Sequence, residues 1–397
     1  MTIQEAVNGK RILIWGYGRE GKSSERYLQQ FCNCESIETY EGTIDGIDEE
    51  KYDLIFKSPG IVMEGDREKY TSQTELFLGQ YRDQVIGITG TKGKSTTSAM
   101  TAHVLAECTG RKVILLGNIG LPCMDYCPEI TDDTIIVFEM SCHQLKHTKV
   151  SPHVSVFLNL YEEHLDYYRT MEAYFTAKSH VAAYQVESDY YFCGENVPDF
   201  PTKARKQIID KEGIAGNELM IFGEHNQLNA KFVRTIAVDV YGCDDEKVTE
   251  SLKSFTGLPH RLQSVGEYKG ISWYDDSIST IPEAAISALE SIPGVYTILI
   301  GGMDRGISYD ILEKYMREHK EYQYICMYET GKRIASEVGL LDNMVVVEDL
   351  CEAVSKAAEL TPKGRGCVMS PAAASYGYFK NFEERGEVFC NILKDMN

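Results

Sequence analysis

Residues Val85–Met100 read VIGITGTKGKSTTSAM, and no other stretch restricts the fold as tightly. Val85, Ile86, Ile88 and Thr89 form a short β-branched run that predicts a buried strand. Gly90-Thr91-Lys92-Gly93-Lys94-Ser95-Thr96 follows and leads into a helical stretch. Strand, glycine turn, Lys-Ser and helix make a phosphate cradle, because backbone N–H groups converge on an anion and the helix N-terminus adds its positive dipole end. Lys94 then reaches the outer phosphates of ATP, and Ser95 or Thr96 offers a hydroxyl to Mg²⁺. The usual eight-residue pattern needs glycine where this chain has Ile88, so the match is the shorter Gly-x-x-Gly-Lys-Ser. An ordinary βα turn that carries Gly and Lys is the bland alternative. The strand before it and the helix after it favour the cradle.

The rest of the composition limits the partners. With 397 residues the chain has room for two or three domains, and its net charge of -20 argues against nucleic-acid and anionic-membrane surfaces. No run is apolar for long enough to span a bilayer, and MTIQEAVNGK lacks the apolar region of a secretory leader, so a cytoplasmic location is expected. The twelve cysteines are scattered without a Cys-x-x-Cys pair. Reduced thiols are therefore expected, and a zinc site is not.

Taken in order, KRILIWGYGREG predicts a strand and then a G-x-G-x-x-G turn (Gly16, Gly18, Gly21) opening a helix over Ser23–Gln30. Alone this suggests a diphosphate or dinucleotide site. Further strands at 36–40 and 53–56, and a helix near 72–81, complete a small α/β domain over 1–82. From Val85, strands predicted at 112–116, 134–138, 154–160 and 190–193 alternate with helices, which implies a mostly parallel sheet over 83–257. Ligands in such sheets sit at the carboxyl ends of strands. Asn118, Glu139, Asn159 and His164 fall there, and Lys178 lies on a helix predicted over 171–183. Gly223–Ala230 opens another helix, the low-hydrophobicity stretch 244–256 runs into the hinge signal Gly257-Leu258-Pro259-His260-Arg261, and a third α/β unit fills 258–397. The expected fold is α/β with three domains: Rossmann-like, P-loop ATPase and Rossmann-like.

Glu139, His164 and Lys178 each have a bland reading as a surface acid, a core histidine and a helix-surface lysine. Their local sequences change that. TGTKGKST, EMSCHQL, NLYEEHLD, YFTAK, GEHNQLNA, GLPHRLQ, WYDDSIST, GGMDRG and SPAAASYGYFKNFEERG occur in this order over nearly the whole chain. Together they resemble the Mur ligases. The resemblance implies an ADP-forming amide ligase of peptidoglycan precursor synthesis, monomeric, that joins D-glutamate to UDP-N-acetylmuramoyl-L-alanine through an acyl phosphate. It further implies that Lys94 binds the β/γ-phosphates, that Ser95 and Glu139 hold one Mg²⁺, and that His164 holds a second with a carbamylated Lys178. By the same resemblance Asn226, Asn229, Arg261 and Asp276 hold the adenosine and its phosphates. Thr280, Arg305, Ser375 and the Phe382 backbone hold glutamate, and Asn118 orients the muramoyl substrate.

Two positions depart from the family pattern. Lys92 stands where Asn is common, and Asp276-Ser277-Ile278-Ser279-Thr280 replaces Asp-Ser-Lys-Ala-Thr. Ile278 removes a cation expected near the amino-acid carboxylate, so ligation of L-glutamate stays open. A folylpolyglutamate synthase-like ligase, a non-catalytic nucleotide-binding regulator and an NAD-dependent enzyme built on Gly16–Gly21 are the other readings. The NAD reading leaves the phosphate loop unexplained.

Overall fold

The computed structural model describes residues 1–65, 67–211, 219, 221, 224–339 and 341–396; Gly223 of the expected GEHNQLNA segment lies outside them. The chain divides into two compact units, Met1–Asn217 with His225–Leu252, and Glu218–Glu224 with Lys253–Asn397.

The first unit carries two sheets. Strands β1 (Arg11–Trp15), β2 (Ser36–Tyr40), β3 (Leu54–Lys57) and β4 (Tyr70–Thr71) form a parallel sheet in the order β2-β1-β3-β4. Strands β5 (Val85–Thr89), β6 (Val113–Gly117), β7 (Ile135–Glu139), β8 (Val154–Phe157), β9 (Tyr190–Gly194) and β10 (Arg205–Ile209) form a second parallel sheet, β10-β9-β8-β5-β7-β6. All of β5, β7 and β8 is buried, as strands covered on both faces must be. Because β5 sits between β7 and β8, the ends of these three strands meet at one place.

The second unit holds β11 (Gln263–Tyr268), β12 (Ile271–Asp275), β13 (Val295–Ile300), β14 (Gln323–Met327), β15 (Met344–Val347) and β16 (Gly366–Met369), ordered β11-β12-β16-β13-β14-β15. Only β11 runs antiparallel, with an irregularity between Ser264 and Gly266. Both units are therefore mostly parallel α/β. No helix among the described residues is long and apolar enough to cross a membrane.

Some elements differ from expectation for identifiable reasons. The helix after β1 begins at Arg19 rather than Ser23, because Gly18 already occupies its N-cap. Strand β8 stops at Phe157, and the Lys178 helix stops at Ser179. Glu139 is the last residue of its strand rather than a residue after it. Strands β4, β10 and β11 lack an apolar run: β4 has two residues, and β10 exposes four of its five side chains. The polar stretch 244–256 contains a helix, Asp245–Ser254, held by Val248 and Leu252.

The first turn shows why its glycines are needed. Gly16 sits at φ +93°, and a Cβ on Gly21 would fall 2.2 Å from the Gly16 carbonyl oxygen. The strand and helix can approach this closely only without a side chain. Gly21→Ala should therefore destabilise the first unit by roughly 1–3 kcal/mol, read as an earlier thermal transition. An unchanged transition would mean that the turn opens freely.

Candidate active site

The phosphate loop follows β5 in the first unit. Gly90 (φ +153°) and Gly93 (φ +83°) take backbone angles that side chains resist, and a Cβ on Gly93 would lie 2.9 Å from Asn229 Oδ1. The helix Lys94–Thr109 starts directly after them, with Ser95 and Thr96 half-buried in its first turn. Asn159 pins the loop on both sides: its Oδ1 accepts from Lys92 N (2.9 Å), and its Nδ2 donates to the Lys92 carbonyl (3.0 Å). Buried Thr91 accepts at Oγ1 from Tyr161 N (2.9 Å). Lys92 reaches away from the cradle to Glu163 (2.9 Å). Asn229 donates to Asn226 Oδ1 (3.1 Å), so these two expected nucleotide contacts stand together behind Gly93.

Two lysines converge on the loop, Lys94 half-buried and Lys178 buried. Lys94 donates to the carbonyls of Gly90 (3.0 Å) and Thr91 (2.9 Å), and Lys178 donates to Gly90 (2.7 Å) from a position only 1% exposed. Loss of hydration pushes Lys178 down to about 7, and the charge of Lys94 pushes the same way. Burial also lowers Lys94, against the pull of Glu139. At neutral pH a large share of Lys178 is thus an uncharged amine.

Glu139 is fully buried. Its Oε1 accepts from Asn118 Nδ2 (3.0 Å), while Oε2 has no hydrogen-bond partner among the described residues. An unpartnered buried carboxylate oxygen is costly, and a hard cation with oxygen preference would satisfy it. The donor set at this end of the sheet therefore fits Mg²⁺. His164 starts the short helix Leu165–Tyr168 in the left-handed region (φ +57°). Lys94, Asn118, His164 and Lys178 line one cavity of about 390 Å³, together with Arg19, Glu20 and Gln144.

Arg19 and Glu20 escaped the sequence reading although they fill the two variable positions between Gly18 and Gly21. Gln144 Nε2 donates to Glu20 Oε1 (2.8 Å), and burial raises that carboxyl. Arg19 donates to the Gly120 carbonyl (2.9 Å). The expected glycine contacts Gly16, Gly18 and Gly21 form the turn beneath these two side chains.

In the second unit the expected residues gather where β12, β13 and β16 end. Asp276 is buried, accepting from Ser370 Oγ (2.6 Å) and Leu262 N (3.2 Å). Burial lifts it to about 7 despite the opposing charge of Arg261, which is itself exposed. Arg305 donates to the Thr280 carbonyl (2.9 Å), and Ser375 follows Ala374, which bridges to Met303. The Phe382 carbonyl is taken by Ser277 Oγ (2.7 Å). What Phe382 can offer a ligand is its N–H, in the first turn of the helix Phe382–Asp395.

Arg385, also unforeseen, is wholly buried and donates to Ser277 O (2.7 Å), Ser277 Oγ (3.0 Å) and Ala373 O (3.1 Å). Its signal was the Asn-Phe-Glu-Glu-Arg-Gly run. Asp275 binds His260 Nδ1 (2.7 Å) and raises that imidazole, and Ile278 N donates to the His260 carbonyl (3.1 Å). At 278, then, the backbone is used and no side-chain cation is present.

The profile of the Mur ligase middle domain matches residues 88–213. The UDP-N-acetylmuramoylalanine–D-glutamate ligase of Lactobacillus acidophilus is 30% identical over 89% of this chain and 85% of its own length. The enzyme of that name from Oenococcus oeni is 29% identical over 99% of this chain and 98% of its own. Among solved structures, MurF of Thermotoga maritima in complex with ADP superposes with a TM-score of 0.58 at 17% identity, covering 100% of this chain and 98% of that one. MurC of the same organism gives 0.58 at 16%, covering 98% and 100%. The structures speak for the fold, and the sequence relatives, similar over almost their full length, settle the family. The chain belongs to the Mur ligase family.

Proposed function

We propose that this chain is an ATP-dependent ligase that forms an amide between the carboxyl of UDP-N-acetylmuramoyl-L-alanine and the amino group of D-glutamate. The observation that carries it is the unpartnered, buried Glu139 oxygen at the strand end beside the phosphate loop. The names of the relatives support the substrates. In this reading 1–82 binds the UDP-substrate through the Gly16–Gly21 turn, 83–257 binds ATP, and 258–397 binds glutamate. The enzyme works as a cytoplasmic monomer.

The residues divide the work. N–H groups of Gly90–Thr96 and the Lys94 ammonium hold the β- and γ-phosphates, with Asn226, Asn229, Arg261 and Asp276 on the rest of the nucleotide. Ser95 and Glu139 would hold one Mg²⁺, and His164 a second. These ions would neutralise phosphate oxygens when bound. The low value of Lys178 fits carbamylation. Its neutral amine adds to CO₂, an N–C bond forms, a proton leaves, and the product is an oxygen donor suited to a hard cation. Asn118 orients the muramoyl carboxylate for attack on the γ-phosphorus. The oxygen–phosphorus bond forms as ADP leaves. Glutamate, clamped by Arg305, Thr280, Ser375 and the Phe382 N–H, then attacks the acyl carbon; phosphate departs and a proton is lost. A guanidinium suits the clamp because it can bind a carboxylate through two donors.

Ile278 favours one second reading, ligation of L-glutamate. Phosphate release with ATP, Mg²⁺, bicarbonate and UDP-N-acetylmuramoyl-L-alanine decides between them. The D-isomer should support turnover and the L-isomer should not. The reverse selects the second reading, and inactivity with both removes the ligase. Lys178→Ala should lose most activity and regain part of it with a short carboxylic acid; a fully active variant would exclude the carbamate.

The depressed Lys178 value also has a stability consequence. A lysine held at about 7 when folded, against an ordinary 10.5, costs the folded state most where both states are charged, below pH 7. That cost fades as the pH rises from 7 to 10.5, because the folded chain has already released its proton. In bicarbonate-free buffer Lys178→Met should therefore raise the melting temperature at pH 6, with a gain that shrinks by pH 10. A gain independent of pH would place the ammonium in a solvated site.

A further inference from the structure

We propose that Cys142, His143 and His164 form a binding site for a borderline divalent cation, with Zn²⁺ as its reference ion, and that filling it inhibits the enzyme. The ligand atoms of these three side chains all lie within 4.8 Å of one another. A tetrahedral zinc site with bonds of about 2.0–2.3 Å brings neighbouring donors to about 3.4–3.6 Å, so small side-chain rotations complete it. The spacing of cysteines in the sequence did not disclose this cluster, because its donors come from two separate segments.

Cys142 and His143 are held in place before any ion arrives, and exposed His164 packs edge-on against the His143 ring. Cys142 and His143 open the helix Cys142–Leu145, which Ser141 and Gln144 fix by a reciprocal cap. Tyr168 stacks on the His143 ring (5.6 Å), Tyr167 meets it edge-on (4.4 Å), and the His164 ring meets it edge-on at 5.3 Å. Tyr168 Oη lies 3.5 Å from His143 Nδ1. In the tautomer that donates there, Nε2 is left to ligate and Tyr168 serves as the outer partner that orients a metal-bound imidazole.

The chemistry of the set selects the ion. Mg²⁺ prefers a mainly oxygen ligand set and accepts at most an isolated imidazole, whereas a thiolate with two imidazoles selects Zn²⁺ or Co²⁺. Lys94 lines the same cavity, so an ion held by neutral donors alone would meet a positive neighbour; the Cys142 thiolate supplies the opposing charge. On binding, the S–H bond breaks, an S–metal bond forms and the proton goes to solvent. Three protein donors leave a fourth position for water. The inhibitory part rests on the ligase reading above, since an ion that takes His164 removes it from the second Mg²⁺.

The test uses the full chain, stripped of metal by chelation and without nucleotide or substrates. Titration with Co²⁺ should fill one site with a near-ultraviolet thiolate-to-cobalt absorption that Zn²⁺ displaces. Cys142→Ala should abolish this absorption, and Cys142→Ala and His143→Phe should each weaken Zn²⁺ binding by at least the roughly 10–100-fold that loss of an outer partner costs. If circular dichroism shows Cys142→Ala unfolded, His143→Phe carries the comparison. No thiolate absorption in the wild type, or equal Zn²⁺ affinity in wild type and variants, overturns the site. At fixed Mg²⁺, Zn²⁺ should inhibit wild-type turnover at concentrations that spare His143→Phe; binding without inhibition overturns the inhibitory role. A wild type that shows the absorption yet makes no product without Zn²⁺ overturns the ligase reading and leaves the site standing.

Discussion

The Gly90 carbonyl accepts from two lysines, half-buried Lys94 at 3.0 Å and buried Lys178 at 2.7 Å, and the phosphate loop is arranged around that shared acceptor. Two like charges this close, each losing water to burial, oppose each other, and the opposition is relieved when one of them sheds its charge. Lys178 is the one that does, being the more deeply buried and pushed down to about 7. The loop keeps the cation that phosphate needs at Lys94, and it gains at Lys178 an amine able to react as a neutral group. The glycines at 90 and 93 admit this crowding, and Asn159, two residues beyond β8, supplies the hydrogen bonds that the irregular loop cannot make to itself.

The second unit meets a comparable problem with the opposite sign. Asp275 and Asp276 are adjacent, buried carboxyls at the end of β12. They are handled differently: Asp275 has the His260 imidazole as well as the Ser277 N–H, whereas Asp276 has only a hydroxyl and a backbone N–H among the described residues and is lifted to about 7. Arg385 makes the arrangement rigid by spending three donors on Ser277 and Ala373, so the turn that carries Asp276 to Thr280 is tied to the helix Phe382–Asp395. A fully buried guanidinium is tolerated only where its donors are matched in this way.

How much of this could be read from the sequence follows from range. Glu139, Lys94 and the glycines at 16, 18, 21, 90 and 93 were legible because each does its work within a few residues of a strand end, and strand ends announce themselves by β-branched runs. Strand β10 was not, because Arg205–Ile209 pairs only with β9 and exposes most of its side chains, leaving no alternation to detect. Arg19 and Glu20 were passed over for a different reason: the glycine pattern assigns its variable positions no role, and the role appears only when Gln144 arrives from another strand's end. The thiol–imidazole cluster and the Arg385 ties share that character. Each joins segments far apart in the chain, and nothing local marks the join.

Charge gives the last link between sequence and site. ATP, a UDP-sugar and glutamate are all anions, yet the chain carries -20. Screening makes this tolerable, since at physiological ionic strength surface charges fade within about 8 Å. Buried cations are screened far less and act at closer range. Lys57, pushed down to about 8 by burial, repeats at the first sheet what Lys94 does at the second: a cation partly withdrawn from water, held beside a cavity, whose pull on an incoming anion is strengthened by the same desolvation that weakens its hold on a proton. A net negative chain and a few desolvated cations beside its cavities are therefore compatible. The exterior governs solubility, and a few desolvated ammonium groups govern binding. On that ground Ile278 matters more than its single position suggests, because the resemblance leads to the expectation of a cation there, where each one acts at short range. Arg305 and Arg261 are the cationic groups that remain among the expected ligand contacts of that unit.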